Sequence, residues 1–133
     1  MDKTVTEHDL NQPVVQYASD DFVALRARRS VADALECIRS SQTQSAILYF
    51  YVVDDEDRLV GVVPTRRLLT SSLDASVESI MTESLVSVPD NANLLEALEF
   101  FILYKFLAFP VVDAERKILG VIDVNLFTQE MID

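Results

Sequence analysis

The chain has 133 residues, half of them apolar, and its twenty-two acidic against eleven basic side chains give a formal net charge of −11. The apolar share supplies a packed core, so disorder is a poor expectation, and the negative charge repels phosphate backbones and anionic headgroups, which argues against nucleic acid as a partner. Two glycines, Gly61 and Gly120, exclude a glycine-rich phosphate loop; one histidine, His8, and one cysteine, Cys37, exclude an intrachain disulfide and a Cys/His zinc cluster.

The chain begins with a polar leader, residues 1–13, which lacks the apolar stretch a secretory signal needs. A short extended piece over 22–25 leads into a helix with Ser30 as N-cap and Asp33 three residues on, whose apolar stripe is Val31, Ala34, Leu35 and Ile38. Cys37 sits beside that stripe and reads as a small packing residue. Two β-rich runs follow, 48–53 and 59–63, joined by the acidic turn Asp54-Asp55-Glu56-Asp57, and then a helix over 65–69. The same order recurs. An extended piece at 85–88 precedes Asn93 as N-cap with Glu96, an apolar helix reaching Tyr104, strands over 109–112 and 118–122, and a helix over 124–131. The longest apolar run, 100–112, is broken by Lys105 and Pro110 and falls short of the roughly 20 residues that span a bilayer. A soluble, cytoplasmic chain is expected.

The recurrence is a repeat. Residues 51–63 read onto 110–122 at an offset of 59, which places Gly61 and Gly120 at one position of two copies. Upstream the offset is 63, so the first copy carries four extra residues between about 40 and 47. Each copy is β-α-β-β-α, and neither buries much alone. The expected fold is α+β, sandwich-like, with repeats 14–72 and 73–133 related by pseudo-two-fold symmetry.

The repeated h-x-V-V-D, acidic turn, h-h-G-V-h pattern resembles a tandem pair of cystathionine-β-synthase (CBS) domains. Asp21-Phe-Val-Ala-Leu25, Ala34-Leu-Glu-Cys-Ile-Arg39, Tyr49-Phe-Tyr-Val-Val-Asp54, Arg58-Leu-Val-Gly-Val-Val63 and Val77-Glu-Ser-Ile-Met81 are similar to the cytosolic CBS pair of MgtE-type magnesium transporters. The resemblance implies a ligand cleft between the copies. In nucleotide-binding members a Ser or Thr three residues after the repeat glycine and an Asp six after it hold phosphate and ribose. Here those positions are Pro64 and Arg67 in one copy, and Asp123 and Leu126 in the other. What remains for an adenine nucleotide is an altered site around Thr65, Arg66, Phe109, Pro110 and Asp123, with Asp123 also suited to cap a helix.

Charge is uneven along the chain. Residues 20–72 carry eight acidic and seven basic groups, whereas residues 73–133 carry eleven against three, a net of −8. Such a surface favours divalent cations, and magnesium binds through one or two carboxylates while keeping its waters. Candidate ligands are Asp20 and Asp21, Asp54, Asp55 and Asp57 with Glu56, and Asp113 with Glu115; as turn residues they are also ordinary solvated carboxylates. The helix is apolar on nearly every face from Phe100 onward, so Phe100, Phe101 or Tyr104 is expected to meet a second subunit. Electrostatics favours an antiparallel homodimer, whereas the resemblance implies a parallel one in which magnesium screens the repulsion. No nucleophile, base or cofactor motif points to catalysis. The expected function is a non-enzymatic sensor of Mg2+ beside a membrane transport domain; the alternatives are an adenine-nucleotide sensor and a ligand-free dimerisation scaffold.

Overall fold

A computed structural model describes residues 9–43 and 49–127. His8, the Leu48 end of the first β-rich run, the 44–47 part of the four-residue insertion and the 128–131 part of the last expected helix lie outside the described residues. The chain divides into two compact units: Asp21–Leu85, and, among the described residues, 9–20 together with 86–127.

In the Asp21–Leu85 unit the elements are β1 (Val23–Arg26), α1 (Val31–Ser40), β2 (Phe50–Val53), β3 (Leu59–Val63), α2 (Thr65–Thr70) and α3 (Val77–Ile80). The sheet runs β1-β2-β3, parallel and then antiparallel. Ser30 Oγ accepts from the Asp33 N–H at 3.1 Å, satisfying one of the free amides of the first turn of α1. Val31 and Ala34 of α1, with Leu35 and Ile38 packed against them, close on Val23, Leu25, Phe50, Val52 and Val63 from the sheet. All four residues of β2 are buried, so the central strand is covered on both faces. Cys37 is exposed, contrary to the packing role expected from its place beside the stripe. The core-facing positions are filled by Val31, Ala34, Leu35 and Ile38, and residue 37 turns off that arc.

The other unit holds a 3-10 helix (Val14–Tyr17), β4 (Val88–Pro89), α4 (Leu94–Tyr104), β5 (Ala108–Val112), β6 (Ile118–Asp123) and a 3-10 helix (Val124–Leu126) where a longer helix over 124–131 was expected. Its sheet repeats the first, β4-β5-β6, parallel and then antiparallel. A capping box opens α4: Asn93 Oδ1 accepts from the Glu96 N–H at 2.9 Å, and Glu96 Oε1 accepts from the Asn93 N–H at 3.1 Å. Leu94, Ala97, Leu98 and Phe101 point inward at helical spacing. Phe101 is 2% exposed and stacks edge-on against Phe109, with ring centres 4.7 Å apart, and Phe127, at 5.5 Å. Phe101 is therefore a core residue of its own unit and not a point of contact with a second subunit. The face left open is Leu95, Ile102, Leu103 and Tyr104, continued by Phe106 and Leu107.

Each repeat lends its leading helix to the sheet of the other. Val77–Ile80 belongs with Asp21–Leu85, and Val14–Tyr17 belongs with β4–β6. The bonding is the same in both places once positions are shifted by 63. The Val14 N–H donates to Ala92 O at 2.9 Å and the Val77 N–H to Arg29 O at 2.8 Å; the Leu94 N–H donates to Gln12 O and the Val31 N–H to Ala75 O. After each leading helix the chain crosses the last strand of the sheet, pairing Ser19 with Val121 and Thr82 with Val62. The repeat glycines lie under these crossings. A Cβ on Gly120 would stand 2.7 Å from Ala18 Cβ and 2.9 Å from Ser19 O; one on Gly61 would stand 2.7 Å from Met81 Sδ and 2.8 Å from Thr82 O. Close backbone approach, and not a positive φ, accounts for both glycines.

Candidate functional site

The acidic turn between β2 and β3 is tied down by arginines. Asp54 Oδ1 accepts from the N–H groups of Glu56 and Arg58, both at 2.9 Å, and its Oδ2 meets the Arg58 guanidinium at 2.8 Å. Arg26 pairs with Asp57 at 2.6 Å and donates to Asp54 O, and Arg28 pairs with Asp55 at 2.8 Å. The parallel pairing of β1 with β2 sets Arg26 opposite Val53 and so brings these arginines to the turn. Asp54, Asp55 and Asp57 thus already have cationic partners. The hydrogen bond from the Arg58 N–H, which outweighs the opposing desolvation and is joined by those from the Glu56 N–H and the Arg58 guanidinium, holds the Asp54 carboxyl below the usual carboxylate range. A depressed carboxyl stabilises the fold above its unfolded pKa, and the contribution is lost as pH falls through the folded value. Acid titration of unfolding stability is therefore expected to be shallower for Asp54→Asn than for the parent chain at the low-pH end; parallel curves would show that the turn does not couple to folding.

The matching turn between β5 and β6 has the same backbone but different partners. Asp113 Oδ1 accepts from the N–H groups of Glu115 and Lys117, both at 2.9 Å, and Arg116 takes the positive φ that Asp57 takes in the first turn. At the positions of Arg26 and Arg28 this unit has Pro89 and Asn91. Asp20 is exposed and Asp21 is half-buried. Among the described residues no three His, Cys, Asp or Glu side chains converge as a metal site.

The five residues expected around a nucleotide divide between the units. Thr65 and Arg66 are exposed at the start of α2, a helix of six residues, and the neighbouring Arg67 guanidinium donates to Ile80 O at the end of α3, at 3.0 Å. Phe109 and Pro110 lie in β5, and Phe109 is fully buried among Phe100, Phe101, Tyr104 and Phe106. Its ring serves the core of its own unit. Asp123 caps the last 3-10 helix by accepting from the Asn125 N–H at 2.8 Å. A pocket of about 320 Å³ that the sequence did not signal lies beside α1, lined by Leu25, Ala34, Val77, Arg29, Asp33 and Cys37 among others. None of the sequence-derived site residues lines it.

Two consecutive β-α-β-β units with interleaved leading helices define a CBS pair. The family model for the CBS domain matches residues 14–74 and 77–125, and the chain belongs to that family. It is 30% identical over 106 residues to the magnesium transporter MgtE of Enterococcus faecalis, a match that covers 79% of this chain and 23% of that protein. The MgtE of Thermus thermophilus is also 30% identical over 106 residues, covering 79% of this chain and 24% of the transporter. The chain thus spans about a quarter of the length of these transporters. Among solved structures it is similar to the cytosolic domain of the Mg2+ channel MgtE in complex with ATP, with a TM-score of 0.73 and 29% identity, over 81% of this chain and 44% of that one. No helix among the described residues is long and apolar enough to cross a membrane.

Proposed function

We propose that the chain is the regulatory CBS pair of a magnesium transport system, without catalysis of its own, homodimeric, acting in the cytoplasm beside a membrane transport domain and responding to Mg2+. The observation that carries this reading is the match to MgtE over 79% of the chain. Charge supports it. The stretches 1–20 and 86–133 hold twelve acidic against four basic residues, a net of −8, while residues 21–85 hold ten against seven. Asp20, Asp113 and Asp123 belong to the more acidic unit, and with Asp54, Asp55 and Asp57 engaged by arginines it is this unit that offers carboxylates to a hydrated cation.

A second reading is supported by the ATP-bound relative: an adenine nucleotide whose phosphates meet Thr65 and Arg66. One experiment separates the two. A ligand that binds only the folded state raises the unfolding midpoint, so millimolar MgCl2 is expected to raise the melting temperature beyond NaCl of equal ionic strength, with ATP in the absence of metal having no effect. Equal shifts by the two salts would reduce magnesium to a screening ion and overturn the first reading. A shift with ATP alone that Arg66→Ala abolishes would establish the second.

A further inference from the structure

We propose that the cavity beside α1 binds a free α-amino acid with a small apolar side chain, at a site separate from any for Mg2+ or nucleotide. All its walls belong to the Asp21–Leu85 unit. At about 320 Å³ it stands near the lower end of the roughly 300–1,000 Å³ of small-molecule sites, which suits a ligand of this size. Asp33, Glu36 and Cys37 share one face of α1 at three- and four-residue spacing, and Arg29 comes from the segment between β1 and α1. Arg26, the other cation in the lining, is held by Asp57 and Asp54 O. Among the described residues Arg29, Asp33 and Glu36 make no ion pair, with one another or with any other side chain. A guanidinium and two carboxylates that line one cavity unpaired are free to meet the carboxylate and the ammonium of a single zwitterion.

The backbone offers the same polarity. β1 is an edge strand, and the Ala27 N–H donates to Val53 O at 2.9 Å, so in this parallel pair the alternate residues Ala24 and Arg26 turn their backbone groups to the outer edge. Ala24 lines the cavity, and its outward N–H and C=O have no partner among the described residues. Arg26 O already accepts from the Arg29 N–H at 3.2 Å, so a longer peptide could not extend the ladder there. That limit favours one amino acid over an added strand. The floor of Leu25, Ala34 and Val77 takes the apolar side chain. The second repeat shows what closes such a site: shifted by 63 positions, Arg29 becomes the buried Ala92, and Cys37 becomes Phe100, whose ring packs on Phe109 and Tyr104. The cation is gone, and a ring stands where the first repeat has a thiol.

The test is isothermal titration calorimetry of the full chain with L-leucine, L-valine and L-alanine, in buffer free of divalent metal and nucleotide. Saturable binding with a millimolar or tighter dissociation constant is expected for at least one of them. Its N-acetyl and amide derivatives, each lacking one charge, are expected to bind about tenfold more weakly or worse, because each loses a charge-assisted hydrogen bond. Arg29→Gln is expected to weaken binding by about tenfold for the same reason. Cys37→Phe, which copies the second repeat, is expected to abolish it. Far-UV circular dichroism confirms that the variants fold, and Asp33→Asn, expected to weaken binding like Arg29→Gln, stands in if Cys37→Phe does not. No saturation by any of the three amino acids overturns the proposal. So does equal binding of the amide derivative, or undiminished binding by the variants, which would place the ligand elsewhere. The response of the melting temperature to MgCl2 is read without amino acid, so either experiment can fail alone.

Discussion

Phe101→Ala is expected to lower the unfolding free energy by about 3–5 kcal/mol, the range for deleting a buried phenyl ring and leaving a cavity. The side chain is 2% exposed, and its ring is the centre of a cluster that takes in Phe109 and Phe127, so three elements lose their common contact at once. Pro110 in β5 and the long apolar α4 leave little room for the cavity to close, because β5 is buried at all five positions. Ile38 occupies the same place in the first repeat but is only half-buried, and Ile38→Ala is expected to cost clearly less. Urea unfolding measures both, and the midpoint should fall with little change in slope. The concentration dependence decides between core and interface. A core residue loses the same stability at every protein concentration, whereas an interface residue loses it only where dimers form. A Phe101→Ala penalty that vanishes on dilution would return Phe101 to the interface that the sequence pattern alone suggested.

That suggestion marks where the sequence was legible and where it was not. The two-fold repeat, the caps at Ser30 and Asn93, the capping box with Glu96 and the β-β pairs around the glycines were all readable, because each is a local pattern of residue types at fixed spacing. Helix α4 looked apolar all round, and spacing could not show that Phe127, from beyond the sheet, adds to the cover that Phe109 of β5 gives Phe101. The interleaving of leading helices was also illegible. Val14–Tyr17 and Val77–Ile80 are four residues each, too short for a periodic signal, and their partners are dozens of positions away. At the candidate site the acidic turn was visible as composition, but its neutralisation was not: Arg26 and Arg28 are 27 or more positions from the groups they bind, and only the β1–β2 register joins them. The burial of the Phe109 ring was hidden for a related reason, since a strand residue faces either of two sides and the pattern did not say which.

Gly120→Ala is the second large effect, expected at about 2–4 kcal/mol: about 1–3 for overpacking a site that cannot yield, and a further share for weakening about one backbone hydrogen bond. The new methyl group would meet Ala18 Cβ at 2.7 Å and Ser19 O at 2.9 Å, and neither atom is the free end of a flexible side chain. Relief requires lifting the crossing segment, which the Ser19 N–H to Val121 O and Val121 N–H to Ser19 O bonds, both 2.8 Å, hold against β6. Gly61→Ala presents the same geometry with one softer neighbour. The nearest atom there is the thioether Sδ of Met81, which can swing aside, although Thr82 O at 2.8 Å remains. The penalty at Gly61 is therefore expected to be smaller than at Gly120. A double variant distinguishes this cause from a general loss of glycine flexibility. Ala18→Gly removes one of the two clashing groups, so combined with Gly120→Ala it should recover part of the lost stability, giving a favourable coupling in a double-mutant cycle. Hydrogen exchange adds the location. The amides of Val14 and Ser19 should lose protection in Gly120→Ala, and those of Val77 and Thr82 in Gly61→Ala, each in the unit where the crossing is lifted. Equal penalties at the two glycines with no rescue by Ala18→Gly would mean that the crossings do not set the requirement, and the matching glycines of the two repeats would need another physical cause.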